Sequence, residues 1–223
     1  EGAFIIDIGA CSTRPGSAGI SLDEEQKRLL PAIRTVRKHF PEALISADTF
    51  KAETARMAAE EGAHIINDIS GGTMDERMFE TIAALGIPYI LTHIQGTPLT
   101  MQDNPRYNNL TGELLAYFAE KTTLLKQAGV KDIIIDPGFG FGKTTEHNYE
   151  MLRNLGALRI TGFPVMAGLS RKSMINRVAG TQPETALNGT TVLNTIALLN
   201  GASILRVHDV REAMEAIRLV GYY

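Results

Sequence analysis

The sequence is 223 residues long, carries a formal net charge of −3 and contains one cysteine, Cys11. A lone cysteine excludes a disulfide framework and a cysteine-only metal site, and the mildly acidic balance offers no basic footprint for nucleic acid or an anionic membrane. No apolar run approaches the roughly 20 residues that cross a bilayer, and Glu1 onward has no signal-type stretch, so a soluble, cytoplasmic chain forming one domain over residues 1–223 is expected.

Along the chain a short apolar run, a polar loop and a longer amphipathic stretch recur. The apolar runs are 3–8, 43–48, 63–69, 87–92, 132–136, 163–168 and 202–207. Near-continuous apolar runs of this length predict strands buried on both faces, hence a parallel sheet. Between them, helical periodicity predicts helices over 22–38, 51–61, 74–85, 108–128, 146–158, 183–200 and 210–220. Ser21 is a candidate cap for the first, and Gly62, Gly86, Gly129 and Gly201 stop four of the others.

Seven such units fit either an open doubly wound sheet or a (β/α)₈ barrel. An open sheet gathers its site at one switch point. Here a polar residue closes almost every strand: Asp7, Asp48, Asn67, His93, Asp136, Ser170 with Lys172, and Arg206 with His208. Side chains contributed by every strand end favour the barrel, an α/β TIM barrel whose site lies on the C-terminal face. A full barrel needs about 250 residues, so the chain is expected to lack one β/α unit, with the strand at Gly2 standing second.

The strand-end segments have chemical and purely structural readings. Ser12-Thr-Arg-Pro-Gly16 is a turn that could hold an anionic or aromatic substrate edge. Asp48 offers two acceptor oxygens to an N–H-rich heterocycle, or caps the next helix. Asn67-Asp68 reads a heterocycle's amide edge or forms an Asx-turn. Asp136-Pro-Gly-Phe-Gly-Phe-Gly-Lys143 fails the P-loop spacing, since only three residues separate Gly138 from Gly142. It is expected to display Phe139 and Phe141 to a flat ligand, or to bury both. In Ser170-Arg-Lys-Ser173, Lys172 could donate to a carbonyl or ring nitrogen. In Arg206-Val-His208, strand alternation puts cation and imidazole on one face, suited to phosphate or diphosphate, with pairing to Asp7 as the alternative. His93 is a further strand-end candidate, and no His/Cys spacing supports zinc.

Taken in order, Asp7-Ile-Gly-Ala-Cys-Ser-Thr-Arg-Pro-Gly16, Ser46-Ala-Asp-Thr49, Gly62-Ala-His-Ile-Ile-Asn-Asp-Ile69, His93-Ile-Gln-Gly96, the segment 136–143, Ser170-Arg-Lys-Ser173 and Arg206-Val-His-Asp-Val210 make the chain resemble the dihydropteroate synthase family. The resemblance implies condensation of 7,8-dihydropterin-6-ylmethyl diphosphate with 4-aminobenzoate, Mg²⁺ as cofactor, and a homodimer. It implies that Asp48, Asn67, Asp136 and Lys172 bind the pterin. Arg206 and His208 would hold the diphosphate, while Thr13, Arg14, Pro15, Phe141 and Ser173 would line the aminobenzoate pocket. Arg206, His208 and Lys172 are then the catalytic set. The family's opening Asn-Val-Thr-Pro-Asp-Ser-Phe-type loop, which supplies a metal-site Asn, has no counterpart here, so the resemblance identifies no metal ligand in the chain. A methyltetrahydrofolate:corrinoid methyltransferase and a non-catalytic pterin-binding module are the alternatives; the first needs no grip on diphosphate.

Overall fold

The computed structural model describes residues 1–11 and 19–223. Seven parallel strands follow the expected runs: β1 (Ile5–Gly9), β2 (Leu44–Asp48), β3 (Ile65–Asp68), β4 (Tyr89–Thr92), β5 (Ile133–Asp136), β6 (Met166–Ala167) and β7 (Ile204–Leu205). β1 to β5 pair in chain order, a bridge from Ile135 to Val165 carries the order to β6, and β6 pairs with β7. Sequential parallel pairing with a helix after each strand is the right-handed winding of a β/α barrel.

Eight helices surround the strands: α1 (Leu22–His39), α2 (Ala52–Glu60), α3 (Met78–Leu85), α4 (Leu110–Ala128), α5 (Thr145–Arg153), α6 (Ser173–Ala179), α7 (Leu187–Leu199) and α8 (Val210–Tyr222). Ser21 caps α1 by accepting from Glu24 N. The helix then runs through Pro31, whose N–H deficit is confined to one bond.

Three boundaries differ from expectation. α3 starts at Met78 rather than Met74, because the Asp75 carboxylate turns away to cap Ala52 N of α2 at 2.9 Å. The stretch 146–158 is α5 followed by a 3₁₀ segment, Leu155–Thr161. The stretch 183–200 opens with a 3₁₀ turn, Pro183–Thr185, before α7.

Two layers hold the barrel. Outside the strands, Ile45, Ile66, Tyr89, Leu91 and Ile135 pack against helix residues such as Ile33, Ile82 and Phe118. Inside, Ile65, Ile90 and Met166 are joined by the half-buried Ile5, Ile134 and Ile204, one residue from each strand but β2. Register carries this alternation upward: Gly9, Asp48, Asn67, Ile90 and Ile134 stand side by side, and Asp136 lies opposite Thr92 one row higher. The interior is therefore apolar at the base and polar at the C-terminal mouth.

Among the described residues the ring stays open between β1 and β7, each paired on one side only. A cavity of about 570 Å³ fills that opening, bounded by Phe4 and Ile5 on one edge, Ile204 and Arg206 on the other, and Met214 and Ile217 of α8.

Candidate active site

β1, β2, β3 and the end of β7 bring four charged or polar groups together. Asn67 Nδ2 donates to Asp7 Oδ2 at 3.2 Å, and Arg206 Nη1 lies 3.8 Å from the same Asp7 oxygen. Asp48 joins them because its strand neighbour is Gly9: a Cβ there would stand 3.1 Å from Asp48 Cβ. Withdrawal from water, then the Asp7 charge, push the Asp48 carboxyl up to about 7, against the pull of Arg206. Asp48 caps no helix: the residue before α2 is Lys51, and Asp75 does the capping.

Two buried polar atoms in this group lack a protein partner among the described residues, Asn67 Oδ1 and Arg206 Nε. Six other buried side-chain atoms of the described residues are also unmet, but these two converge on one polar mouth, where a ligand's hydrogen bonds would meet them. Asp68, by contrast, is structural. Fully buried, it accepts from Ser70 N, Ser70 Oγ, Gly72 N and Tyr89 Oη, forming an Asx-turn after β3.

The glycine-rich segment after β5 forms the adjoining wall. Asp136 Oδ1 accepts from Gly138 N at 2.8 Å. Lys143 is buried, and its Nζ reaches Gly138 O at 3.1 Å, Phe141 O at 3.0 Å and His93 Nδ1 at 2.9 Å. His93 is thereby a latch for the loop rather than a mouth residue; burial and the neighbouring ammonium hold its imidazole neutral. Asn148 of α5 accepts from Gly140 N, and Gln102 donates to Gly140 O.

The loop buries both of its aromatic rings, the alternative to displaying them, but in different clusters. Phe139 is fully buried in the main core, because its ring points down between strands and helices. Phe141 packs with Ile69 and Met101 at the mouth. Lys172 couples the loop to β6: its Nζ donates to Phe139 O and sits 4.9 Å from the centre of the Phe141 ring. Burial and the Arg206 charge pull the Lys172 ammonium down to about 7.

Arg206 and His208 lie just past β7, which ends at Leu205, so they belong to its following loop rather than to a strand. Arg206 N still bonds Ala167 O at 3.0 Å, extending the ladder by one residue. Of the two readings of Arg206, the pairing with Asp7 is present as a long ion pair of 3.8 Å. His208 Nδ1 lies 2.9 Å from Ser170 Oγ. Ser173 is exposed at the first turn of α6. Thr13, Arg14 and Pro15 lie outside the described residues.

Lys143, which latches the loop, is not singled out in the sequence. Asp7 and Ser170 are among the polar strand ends, with Asp7 as the alternative partner of Arg206, but the contacts of Asp7 with Asn67 and of Ser170 with His208 have no local signal.

The fold and site define a parallel α/β barrel with its polar groups at the C-terminal mouth, the arrangement of TIM-barrel enzymes. The profile of the pterin binding enzyme family matches residues 1–208. The dihydropteroate synthase of Escherichia coli K12 is 43% identical over 221 residues, 98% of this chain and 78% of that protein. The Yersinia pestis dihydropteroate synthase, crystallised with a sulfonamide drug, superposes with a TM-score of 0.96 at 38% identity, over 99% of this chain and 80% of that one. The Thermus thermophilus enzyme in complex with 4-aminobenzoate gives a TM-score of 0.92 at 38% identity, over 99% and 84%. The chain belongs to the pterin-binding enzyme family, and the named relatives are dihydropteroate synthases.

Proposed function

We propose that this chain condenses 7,8-dihydropterin-6-ylmethyl diphosphate with 4-aminobenzoate, releasing diphosphate and forming 7,8-dihydropteroate. The observation that carries the reading is the juxtaposition, in one mouth, of acceptors suited to an N–H-rich ring with a guanidinium and an imidazole suited to a leaving anion. Asp48, Asn67 and Asp136 hold the pterin, with Lys172 donating to its carbonyl or ring nitrogen. The C–O bond to diphosphate breaks as its oxygens gain charge against Arg206 and His208. Asp48 and Asp136 face the positive charge left on the pterin methylene. The aminobenzoate nitrogen, held beside Phe141 and Ser173, then forms the C–N bond and loses a proton. Much of the rate comes from this orientation.

Mg²⁺ enters the proposal as a companion of the diphosphate. Among the described residues no three His, Cys, Asp or Glu side chains converge to hold a metal, and Mg²⁺ commonly keeps water and substrate phosphate as ligands. No step here is routed through it.

The grip of Arg206 and His208 has no task in methyl transfer to a corrinoid, which sets that alternative aside. The deciding assay is diphosphate release requiring both substrates. Release that needs no 4-aminobenzoate overturns the synthase reading in favour of a hydrolase, and no release from protein that still binds pterin overturns it in favour of a binding module.

Pterin affinity should be pH-dependent. Asp48 must be ionised to accept two N–H bonds, and its raised value near 7 leaves it largely protonated at pH 6. Affinity is therefore expected to rise about tenfold from pH 6 to pH 8, and Asp48→Asn to be weak and flat across that range. A wild-type profile that falls with pH would assign the ring contact to another group.

The same reading includes a cytoplasmic setting and a homodimer. No described helix is long and apolar enough to cross a membrane. Val192, Ile196 and Leu199 leave a stripe exposed on α7, and Ile217 and Leu219 are exposed on the adjoining α8. Ile196→Glu combined with Leu199→Glu is expected to halve the mass seen by light scattering. An unchanged mass would place the contact elsewhere or leave the protein monomeric.

A further inference from the structure

Two loops that carry the anion-binding groups are stitched together by adjacent residue pairs. Ser170 and Arg171, after β6, face His208 and Asp209, after β7. Arg171 Nε and Nη2 bond the two Asp209 carboxylate oxygens at 3.0 and 2.5 Å. Arg171 N donates to Thr190 Oγ1 at 3.1 Å. These contacts hold Arg171 at φ 58, a left-handed conformation unusual for a long side chain. The reversal there sends Ser170 and Arg171 toward the β7 loop while Lys172 turns back to the glycine-rich wall.

Ser170 is 6% exposed, and its hydroxyl does two things. It accepts from His208 N at 3.2 Å, and it lies 2.9 Å from His208 Nδ1. A hydroxyl has one proton, and among the described residues the Ser170 proton has no other acceptor within reach. A buried O–H left without an acceptor costs about 1–3 kcal/mol, so that proton belongs on Nδ1. In a neutral imidazole the second proton then sits on Nε2.

We infer that Ser170 is a positioning residue that fixes His208 in the Nε2–H tautomer, so that the imidazole offers a donor to the departing diphosphate. The inference rests on the synthase reading for its consequence in turnover, but not for the tautomer. Because the same hydroxyl also holds His208 N, it sets ring orientation and proton position together. The bidentate Arg171–Asp209 pair keeps the loops at the spacing this needs.

The test has two readouts on the full chain. Imidazole ¹⁵N spectra, with the His208 signals assigned by their loss in His208→Gln, are expected to show wild-type Nε2 protonated and Nδ1 bare at a pH where the ring is neutral. Ser170→Ala is expected to give mixed tautomers, and Ser170→Thr to restore the wild-type pattern. In steady state, Ser170→Ala should lower kcat by about 10- to 100-fold, the range found when the partner orienting a metal-bound histidine is removed, with the KM for 4-aminobenzoate unchanged. Ser170→Thr should recover most of it. A wild-type ring protonated at Nδ1, a wild-type tautomer or kcat in Ser170→Ala, or equal impairment of the Ala and Thr variants would each overturn the inference. The tautomer is read on wild-type protein, with His208→Gln needed only to assign its signals. Absence of turnover in the wild type would sink the synthase reading while leaving the tautomer assignment standing.

Discussion

Arg206→Ala is expected to lower kcat by about 10²- to 10³-fold, equivalent to roughly 3–4 kcal/mol of transition-state stabilisation, the loss seen when one preorganised donor to a developing anion is removed. The guanidinium is underused by the protein. Among the described residues its nearest carboxylate contact is 3.8 Å and its buried Nε has no protein acceptor, and Gly168 leaves room beside it. Its free donors are therefore available to a ligand. Arg206→Lys should recover only part of the rate, because a single ammonium cannot reproduce the fork of donors. Stability should change by less than about 1 kcal/mol, since the side chain is a third exposed and its one ion pair is long. Substrate-saturated turnover and a urea midpoint on the same preparation check both statements. A wild-type kcat in the Ala variant would mean that the diphosphate leaves from elsewhere.

Gly138→Ala is expected to be the most damaging single-methyl addition in the mouth, with at least about 3 kcal/mol of stability lost. Gly138 has φ +72, and an added Cβ would stand 2.0 Å from His93 O. The left-handed backbone alone costs a side chain roughly 1–2 kcal/mol. The rest is overlap with a backbone oxygen that cannot move, because His93 N is bonded to Asp136 O at 2.9 Å. Displacing the turn also separates Lys143 from the carbonyls it holds, so Phe141 and the Phe139 carbonyl under Lys172 move together. Gly86→Ala is the control: φ is +65, but nothing lies within 4 Å of an added Cβ, so only the backbone cost applies. Urea unfolding of the pair separates overlap from strain. Equal losses would show that the loop yields.

Much of the site was legible because barrel strands place chemistry at their ends. Asp48, Asn67, Asp136, Lys172 and Arg206 each sit where an apolar run stops, and register brings Asp48 beside Asn67. The glycine-rich segment was legible as unusual, but the fate of its two rings was not. Phe139 and Phe141 are two residues apart between glycines, and no local rule separates them. Packing sends one ring into the core and the other to the mouth. Arg206 and His208 were read as strand neighbours, yet β7 ends before them, so a loop contact from Ser170 orients the histidine.

Helix boundaries show the same division. Ser21 and the stops at Gly86 and Gly129 act within a few residues and were visible in order. The late start of α3 was not, because Asp75 is drawn off by α2, 23 residues back along the chain.

The amino-acid sequence by itself determined the repeating β/α units, the parallel sheet, the apolar base and polar mouth, and the family. Those follow from period, punctuation and strand-end residue types, which are local properties of the chain. Only the tertiary structure decided which polar groups stay open at the mouth and which are consumed by the fold. Asp48 and Asp68 are both carboxylates at strand ends; one faces Asp7 and the ligand space, while the other is consumed by four donors. Lys143 and Lys172 both donate to carbonyls of the same loop; Lys143 is buried among three partners, while Lys172 is half-buried with one, beside the Phe141 ring. Partners from other strands complete each set, Tyr89 for Asp68, His93 for Lys143 and Arg206 near Asp7, and the packing of parallel strands places them rather than any neighbour along the chain.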